Sequence, residues 1–350
     1  MPSSTSSSES RQIPTGRWGA TWLVALALAI AATWRLEHLT RAGGQRPSVI
    51  DDPFLWSLTR REIDAERGDG RRDGRRIVAL LGASRMALGY SAEAFAEAAP
   101  GLRGLQLAIS DYLPFEVLED LAGDEAFRGV AVLDIIEPEV ADPLPIDGEP
   151  YVARARTLWR APGALANRYL ASHVQAHLAV LAVGGRRIVT SLAGKRRWPD
   201  PAWVVIDRER ASHGDYSLAT PAALRARADR RLAVFPPALP ADAWLAALDR
   251  HLEPMIRRIR ARGGDVVVVH MPVGGRLARK IDEVYPRRQY WDVFAARTSA
   301  HVIHFRDLPA MADLPCPDEM HLDQRDQAAF TRALVEAMRA KGVLQGREGT

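Results

Sequence analysis

The sequence predicts an α/β fold, in which a doubly wound, mostly parallel sheet forms a three-layer domain with an N-terminal transmembrane helix and a helical insertion. Apolar runs of strand length alternate with helical patterns over most of the chain, which is typical of βαβ units. One uncharged run near the N-terminus has the length of a membrane span. A long Pro-rich interval interrupts the alternation once and indicates the insertion.

Composition narrows the class of protein. Hydrophobic residues make up 47% and charged residues 26% of the 350 residues, as in folded domains with an ample core. The net charge is +4, and Lys occurs only at positions 195, 280 and 341, so nearly all of the basic residues are Arg. No compact alternation of basic and aromatic residues accompanies this charge, and no nucleic-acid partner is predicted. The single cysteine, Cys316, excludes an intrachain disulfide and a multi-cysteine metal site, and no cofactor or metal is expected.

The N-terminal region predicts a tail followed by an anchor. Residues 1–17 are rich in Ser and Thr and predict a disordered tail. From Trp18 to Trp34 the chain carries no charge, and a Trp at each end suits a membrane interface, which predicts a transmembrane anchor over 18–35. A cleaved signal peptide is the alternative, because Ala29-Ile-Ala31 resembles a cleavage site. We favour the uncleaved anchor.

The charges that flank this run bear on its orientation. Arg11 and Arg17 precede the run, and Arg35, Arg41 and Arg46 follow it. Because positive charge accumulates on the cytoplasmic side of a span, this count opposes export of the chain that follows. The sequence alone leaves the orientation open.

The remaining elements follow in order. Residues 36–76 form a connector with a short helix near 54–66. Five apolar runs predict buried parallel strands over 77–81, 105–109, 130–136, 265–270 and 301–305. Helical patterns at 92–99, 115–121 and 252–262 separate several of them. In such a sheet, ligands bind where the carboxyl ends of the strands meet.

The interval 141–250 is predicted to be an insertion between the third and fourth strands. It contains helical patterns at 165–183 and 221–232. Both of its ends are held by strands of one sheet, so we expect it to form a cap or side lobe over the strand ends.

Two short stretches at predicted strand ends carry candidate chemistry. Gly82-Ala-Ser84 follows the first strand, where a Gly permits a tight turn and a Ser presents its hydroxyl at the sheet edge. Near the C-terminus, Asp318 and His321 precede the last helix, for which Asp323 is the predicted N-cap. An Asp three residues before a His can orient its ring, and the His can accept the Ser proton.

With these residues the chain resembles the SGNH/GDSL-type hydrolase superfamily, in particular its divergent membrane-anchored or exported members. The resemblance depends on Gly82-Ala-Ser84-Arg85 and on Asp318-x-x-His321-Leu322, with weaker support from the strand end Val-Val-Val-His-Met-Pro272. It covers residues 77–140 and 264–341. It implies a flavodoxin-like, SGNH-hydrolase-like domain over 77–341, with Ser84 as nucleophile, His321 as base and Asp318 as its partner.

The resemblance also implies a function. A membrane-anchored esterase or O-acyltransferase is expected, acting on acyl esters of a cell-envelope glycan or lipid. Its body would lie outside the cytoplasm, on the periplasmic side, and other envelope-biosynthesis proteins are possible partners.

Three positions differ from the family pattern. Ala83 replaces the Asp of the name-giving motif, Ile109-Ser-Asp-Tyr112 replaces the block that usually offers a Gly, and no Asn follows the third strand. The backbone N–H groups of Ser84 and of the chain near Ser110 are therefore the candidate oxyanion donors. Gly82 would form the turn, and Arg85 would hold either an anionic substrate or a salt bridge.

These differences support the alternative function, a catalytically inactive relative that serves as a binding or assembly subunit of an envelope-polymer system. Other polar residues at strand ends are expected to be structural, namely His270, His301, His304, Asp134, Glu137 and Glu139.

Overall fold

The computed structural model describes residues 15–64, 71–72, 75–142 and 151–344. Most of the predicted tail lies outside these residues. The first strand, β1, covers Arg71–Arg72 and pairs antiparallel with the start of the second. The other strands are β2 Arg75–Leu81, β3 Leu102–Gln106, β4 Val130–Asp134, β5 Val204–Ile206, β6 Ser212–Gly214, β7 Asp265–His270 and β8 His301–His304.

Five parallel strands form the centre of the described fold, in the order β3-β2-β4-β7-β8. These are the five runs that the sequence predicts as strands, although β3 ends three residues before the predicted boundary. The chain stays close to β2 beyond that point, because the N–H of Leu107 donates to the carbonyl of Leu80 and the N–H of Ile109 to that of Gly82. Numbered by chain order among themselves, the parallel strands run 2-1-3-4-5, the doubly wound arrangement of flavodoxin type.

Helices surround this sheet and connect its strands. Their bounds are α1 Thr15–Ala42, α2 Pro53–Asp64, α3 Ser84–Gly89, α4 Ala92–Ala98, α5 Phe115–Gly123, α6 Tyr151–Leu158, α7 Pro162–Gln175, α8 Ala179–Val183, α9 Gly185–Leu192, α10 Pro221–Ala233, α11 Ala241–Ala247, α12 Glu253–Ala261, α13 Gly275–Val284, α14 Trp291–Arg297, α15 Pro309–Ala312 and α16 Gln327–Ala340. A π-helical turn, Leu248–Leu252, joins α11 to α12. Every residue of β4 and β7 is buried, as expected for strands covered on both faces.

The last helix begins later than the sequence predicts. Its N-cap position is Asp326, and Asp323 is not the cap. The Asp323 carboxylate instead accepts hydrogen bonds from the backbone N–H groups of Tyr216 and Arg325, at 3.0 Å each. The predicted core face of the helix is confirmed, since Phe330, Leu334 and Met338 are buried.

The inserted segment reaches the carboxyl ends of the sheet. In its β5–β6 hairpin, the backbone carbonyl of Ser212 accepts a hydrogen bond from the side chain of Gln327, at the start of α16, and that of Gly214 from the backbone N–H of Gln324, just before the helix. The Arg210 side chain donates to the carbonyls of Gln106 and Ala108 at the end of β3. The hairpin therefore lies beside the loops that follow the strands, where the site residues are found.

The N-terminal helix is long, apolar and largely exposed. Within α1, the segment Trp18–Ala42 has the length and composition of a membrane span, and none of its most apolar window is buried. Its contacts with the rest of the described chain lie in its C-terminal part, where the Glu37 carboxylate accepts the N–H groups of Ala179 and Val180 at the start of α8. Arg41 also donates to the carbonyl of His177.

Candidate active site

Ser84 lies at the point where the strand order of the sheet reverses. It is the first residue of α3 and follows the end of β2, whose two neighbours, β3 and β4, come later in the chain. Gly82 makes the intervening turn, and a Cβ at that position would lie 2.6 Å from Met86 Cβ and 3.3 Å from Asp134 Cβ. Crowding thus requires glycine here, and Ser84 is left half-buried at the topological switch point, where ligands bind in such sheets.

The structure brings Ser84, His321 and Asp318 together. Ser84 Oγ is 2.8 Å from His321 Nε2, and His321 Nδ1 is 2.8 Å from Asp318 Oδ2. Asp318 and His321 are buried, with 0% and 2% exposed, whereas Ser84 stays accessible. This chain of contacts has the geometry of a nucleophile, a base and an orienting carboxylate.

The loop that carries His321 is held from within. Asp318 Oδ1 accepts the backbone N–H groups of Met320 at 3.1 Å and of His321 at 2.8 Å, so one carboxylate fixes both the ring and the backbone of the histidine. Glu319 adopts a left-handed backbone with φ 69° and turns its side chain outward. There its carboxylate accepts the N–H groups of Arg276 and Leu277 in the first turn of α13. The loop is therefore fastened to a helix on its outer side.

The surroundings of His321 favour its neutral form. Burial lowers the pKa of His321 below its usual value, although the hydrogen bond to Asp318 opposes this shift. Burial opposes ionisation of Asp318 as well, but hydrogen bonds from His321 and the charge of Arg231 hold the pKa of Asp318 well below its usual range. At neutral pH the pair is an imidazole beside a carboxylate, the state in which a histidine can accept a proton.

Two arginines of the insertion also contact Asp318. Arg227 Nε lies 3.1 Å and Arg231 Nη2 3.7 Å from Asp318 Oδ2, the oxygen that is hydrogen-bonded to His321 Nδ1. Arg231 also donates to the Asp318 backbone carbonyl at 3.0 Å. Sequence reasoning missed both residues, because an insertion gives no register against the strands. Their i, i+4 spacing on one face of α10 was the only signal.

The turn that follows the β5–β6 hairpin adds a hydroxyl to this region. Tyr216 is 4% exposed, and its hydroxyl has no hydrogen-bond partner among the described residues. Burial and the nearby charge of Asp318 raise the pKa of Tyr216. The side chain is thus a neutral group with a free donor close to the Asp318 carboxylate.

Arg85 is buried and paired inside the protein. Two of its nitrogens donate to the two carboxylate oxygens of Glu139 at 2.8 and 2.7 Å, and its Nε lies 3.0 Å from Asp134 Oδ2. Burial alone would lower the pKa of Arg85, but these two carboxylates raise it well above its usual value. With 2% of the residue exposed, the salt bridge is the alternative that the structure favours over an anionic substrate.

Ser110 lies in the loop after β3. The residue is exposed, and the N–H of the preceding Ile109 donates to the carbonyl of Gly82 at 3.0 Å, so this loop runs beside the turn before Ser84. The whole chain contains one asparagine, Asn167, which lies in α7 and is exposed. The site therefore has no asparagine amide at the position after the third strand where the resemblance would require one as an oxyanion donor.

The remaining polar strand ends are structural. His270 Nε2 lies 3.2 Å from Glu137 Oε2, both residues are 2% exposed, and the His270 ring stacks on that of His304 at 4.5 Å. Burial lowers the pKa of His304 to about 2, which keeps that ring neutral. Among the described residues, no group of three or more His, Cys, Asp and Glu side chains is arranged to hold a metal ion.

A recess of about 410 Å³ opens on the outer side of the Asp318 loop. It is bounded by α10, by Arg276 at the start of α13, and by Pro317 and Glu319 of the loop. The recess therefore adjoins the carboxylate side of the site.

Comparison of the chain with protein-family models, with curated proteins and with solved structures found no match. The protein is an α/β domain with a serine, a histidine and an aspartate in hydrogen-bond contact at the strand ends.

Proposed function

We propose that this chain is a membrane-anchored Ser-His-Asp enzyme, an esterase or O-acyltransferase of SGNH-hydrolase type. The observation that carries the proposal is the continuous contact from Ser84 Oγ through the His321 ring to Asp318, with 2.8 Å at each step. Only the serine is accessible to a substrate. The order Ser, Asp, His along the chain and the position of Ser84 at the switch point fit the same proposal.

In the proposed reaction, Ser84 Oγ attacks the carbonyl carbon of an acyl ester while its proton passes to His321 Nε2. Asp318 accepts a hydrogen bond from the Nδ1–H of His321, stays ionised and stabilises the imidazolium that forms. The protonated His321 then gives its proton to the leaving alcohol, and the acyl group stays on Ser84. Water or an acceptor hydroxyl next attacks this acyl-serine while His321 removes its proton. The bond between Ser84 Oγ and the acyl carbon then breaks, His321 returns the proton to Oγ, and the products are a free acid or a new ester.

The negative oxygen of the tetrahedral intermediate needs donors. Ser84 opens α3, so its N–H is one of the groups that have no acceptor within the helix. We assign this N–H and a backbone N–H near Ser110 to that role. Losing one such donor costs about 10²–10³ in rate, so two donors are the expected minimum for an efficient enzyme.

Acyl esters of envelope glycans or lipids are the proposed substrate class. Support comes from α1, whose exposed apolar length would hold the domain at a membrane, and from the resemblance to exported hydrolases. We place the body on the periplasmic side on the same ground.

A second candidate function is an inactive binding or assembly subunit of an envelope-polymer system. One observation favours it: the only asparagine of the chain is in α7, so no asparagine amide assists the oxyanion. In that case the Ser84–His321 contact would be structural.

Labelling with a fluorophosphonate probe discriminates between the two functions. The full chain in detergent or nanodiscs is expected to form a covalent adduct on Ser84, located by peptide mass spectrometry, and Ser84→Ala is expected to form none. A folded wild-type protein that never labels, and that turns over no aryl or glycan acyl ester, would establish the inactive alternative.

A further inference from the structure

The stretch of insertion that contains α6–α9 has an unusual charge. Residues 151–199 contain nine Arg and Lys and no Asp or Glu, a net charge of +9. Since the whole chain carries +4, the remainder carries a net −5. Nearly a seventh of the chain thus holds a positive charge that the rest of the protein does not share, although elsewhere arginines and carboxylates are interspersed.

Exposed apolar side chains occur in the same stretch. Val189 is 66% and Leu192 57% exposed on α9, Leu170 is 63% exposed on α7, and Leu181 on α8 is also exposed. A soluble surface seldom presents several large aliphatic residues on neighbouring helices. Ile188, one residue before Val189, is buried, so α9 has one face on the protein and another that meets no partner within the described chain.

Basic side chains lie next to these apolar ones. Four of them line a recess of about 660 Å³ together with the backbone between α8 and α9: Arg186, Arg187, Lys195 and Arg196. None of the four is paired with a carboxylate of the described residues, whereas Arg85, Arg210 and Arg227 all are. Unpaired cations beside exposed aliphatic side chains are typical of a surface that meets anionic lipid.

This surface continues from the proposed membrane span. Leu178, at the start of α8, shares an apolar cavity of about 380 Å³ with Ala29, Ile30, Thr33, Trp34 and Glu37 of α1. The hydrogen bonds from Ala179 and Val180 to Glu37 fix the start of α8 against that part of α1. Helix α9 follows α8 after one residue, Gly184. The start of α8 therefore lies beside the C-terminal end of the proposed span, and α9 comes directly after it in the chain.

We propose that α7–α9 and the following 193–197 segment form an interfacial surface that lies on the bilayer beside α1 and binds anionic phospholipid headgroups. Val189, Leu192 and their exposed neighbours enter the boundary of the acyl chains, and the basic recess receives lipid phosphates. The proposal rests on the anchor proposed for α1 and is independent of the chemistry at Ser84.

Depth-dependent quenching tests the proposal in the full chain. Cysteines introduced as Leu192→Cys, Ala27→Cys and Glu336→Cys report on the surface, on α1 and on the exposed face of α16, respectively. Each is labelled with an NBD maleimide and reconstituted with lipids that carry a quencher on the acyl chain. The native Cys316 is half-buried and burial raises the pKa of its thiol to about 12, so we expect it to react slowly, and labelling of the unsubstituted chain measures its contribution.

We expect NBD at Leu192→Cys to be quenched about twofold or more above the level at Glu336→Cys, and more strongly in phosphatidylglycerol-containing vesicles than in phosphatidylcholine alone. Replacing Arg186, Arg187, Lys195 and Arg196 by Gln should remove the dependence on anionic lipid. A matched variant that loses four exposed arginines elsewhere should retain it: Arg258, Arg279, Arg288 and Arg339.

The three labels keep the possible failures distinct. If Ala27→Cys is quenched while Leu192→Cys behaves like Glu336→Cys, α1 is an anchor and the interfacial surface does not exist. If NBD at Leu192→Cys is shielded from water without lipid quenching, a protein or a second copy covers this face, which overturns the proposal. If Ala27→Cys itself is not quenched, the anchor fails, and the surface proposal fails with it.

Discussion

Arg227 and His321 share one oxygen of Asp318: Arg227 Nε lies 3.1 Å and His321 Nδ1 2.8 Å from Asp318 Oδ2. The carboxylate that orients the proposed base is thus partly neutralised by an arginine from the insertion. A charge in this position acts on the histidine through a shared partner, so its effect should appear in the pH dependence of the reaction.

Removing that charge should shift the acid limb of the pH–rate profile. The positive charges of Arg231 and Arg227 both contribute to the lowered pKa of His321, so Arg227→Gln should raise this pKa. His321 works as a base only when neutral, and the variant should therefore lose activity at a higher pH than wild type. We expect a shift of about 0.5–1 pH unit in kcat/KM, with little change on the alkaline plateau.

Arg225→Gln is the matched control for this experiment. Arg225 is exposed on the same helix, α10, and makes no ion pair with Asp318. Removing the Arg225 charge should leave the acid limb of the pH–rate profile where it is in the wild type. An unchanged profile for Arg227→Gln would show that the charge of Arg227 does not contribute to the pKa of His321.

The three contacting residues should lose activity to different extents. Ser84→Ala and His321→Ala should fall to a similar floor, about 10³-fold or more below wild type, and the double variant should fall no further. Asp318→Asn should stay above that floor, because Asp318 orients and stabilises the ring but touches no substrate. Hydrolysis of an aryl ester measures this series, with circular dichroism as the folding control. Full turnover by folded Ser84→Ala would reduce Ser84 to a turn residue.

Gly82→Ala should disrupt the turn that presents Ser84. The added Cβ would lie 2.6 Å from Met86 Cβ, a distance that forces the start of α3 to move. We expect a loss of about 1–3 kcal/mol in the free energy of unfolding and a clear fall in fluorophosphonate labelling. Gly101→Ala is the matched control, since a Cβ there meets nothing within 4 Å. Equal thermal midpoints for the two variants would contradict the crowding at Gly82.

Arg85→Met should destabilise the protein strongly. It leaves the carboxylates of Asp134, which is fully buried, and Glu139 without their shared cation. Breaking a buried pair from one side costs about 3–5 kcal/mol. Arg258→Met, which removes an exposed arginine from α12, should change the midpoint of thermal unfolding little. A folded, wild-type-like Arg85→Met with an altered KM would instead return Arg85 to substrate binding.

The anchor can be tested in cells. Because Trp18–Ala42 is long enough to span a membrane and its most apolar window is unburied, the full chain should remain in the membrane pellet after alkaline carbonate extraction. A reporter fused to the C-terminus should be active on the extracytoplasmic side. Release into the supernatant would contradict the span, and a cytoplasmic reporter would contradict the orientation while leaving the span intact.

Much of the sheet could be predicted because its strands are buried on both faces. Runs such as Val266–Val269 have no polar face, and a stretch of this kind has few structures open to it besides a central parallel strand. The end of β3 was harder to predict, because Leu107 and Ile109 remain apolar and hydrogen-bonded after the regular ladder stops. The predicted N-cap of α16 was wrong because the Asp323 carboxylate accepts the backbone N–H of Tyr216, next to the distant hairpin. Local capping rules do not include such a tertiary contact.

The site residues also fall into those that the sequence could predict and those that it could not. Ser84, Asp318 and His321 could be proposed together because each follows a recognisable strand or precedes a recognisable helix, and strand ends of one sheet meet. Arg227 and Arg231 could not be, because the fold of the insertion is set by packing against the connector and the strand-end loops. The partners of Arg85 were equally hidden, because Asp134 ends a different strand, β4, and Glu139 lies in the turn after it.

The contact between Glu37 and the start of α8 limits how far the α/β domain can move from the membrane if α1 is an anchor. A hydrolase joined to its membrane anchor by a flexible linker samples a wide volume and can search for its substrate. Here the end of α1 is fixed to the rest of the protein. The backbone N–H groups of Ala179 and Val180 donate to Glu37, and Arg41 donates to the carbonyl of His177. If α1 spans the membrane, the hydroxyl of Ser84 stands at one set height above it. A substrate of the proposed reaction would then have to reach Ser84 at that height.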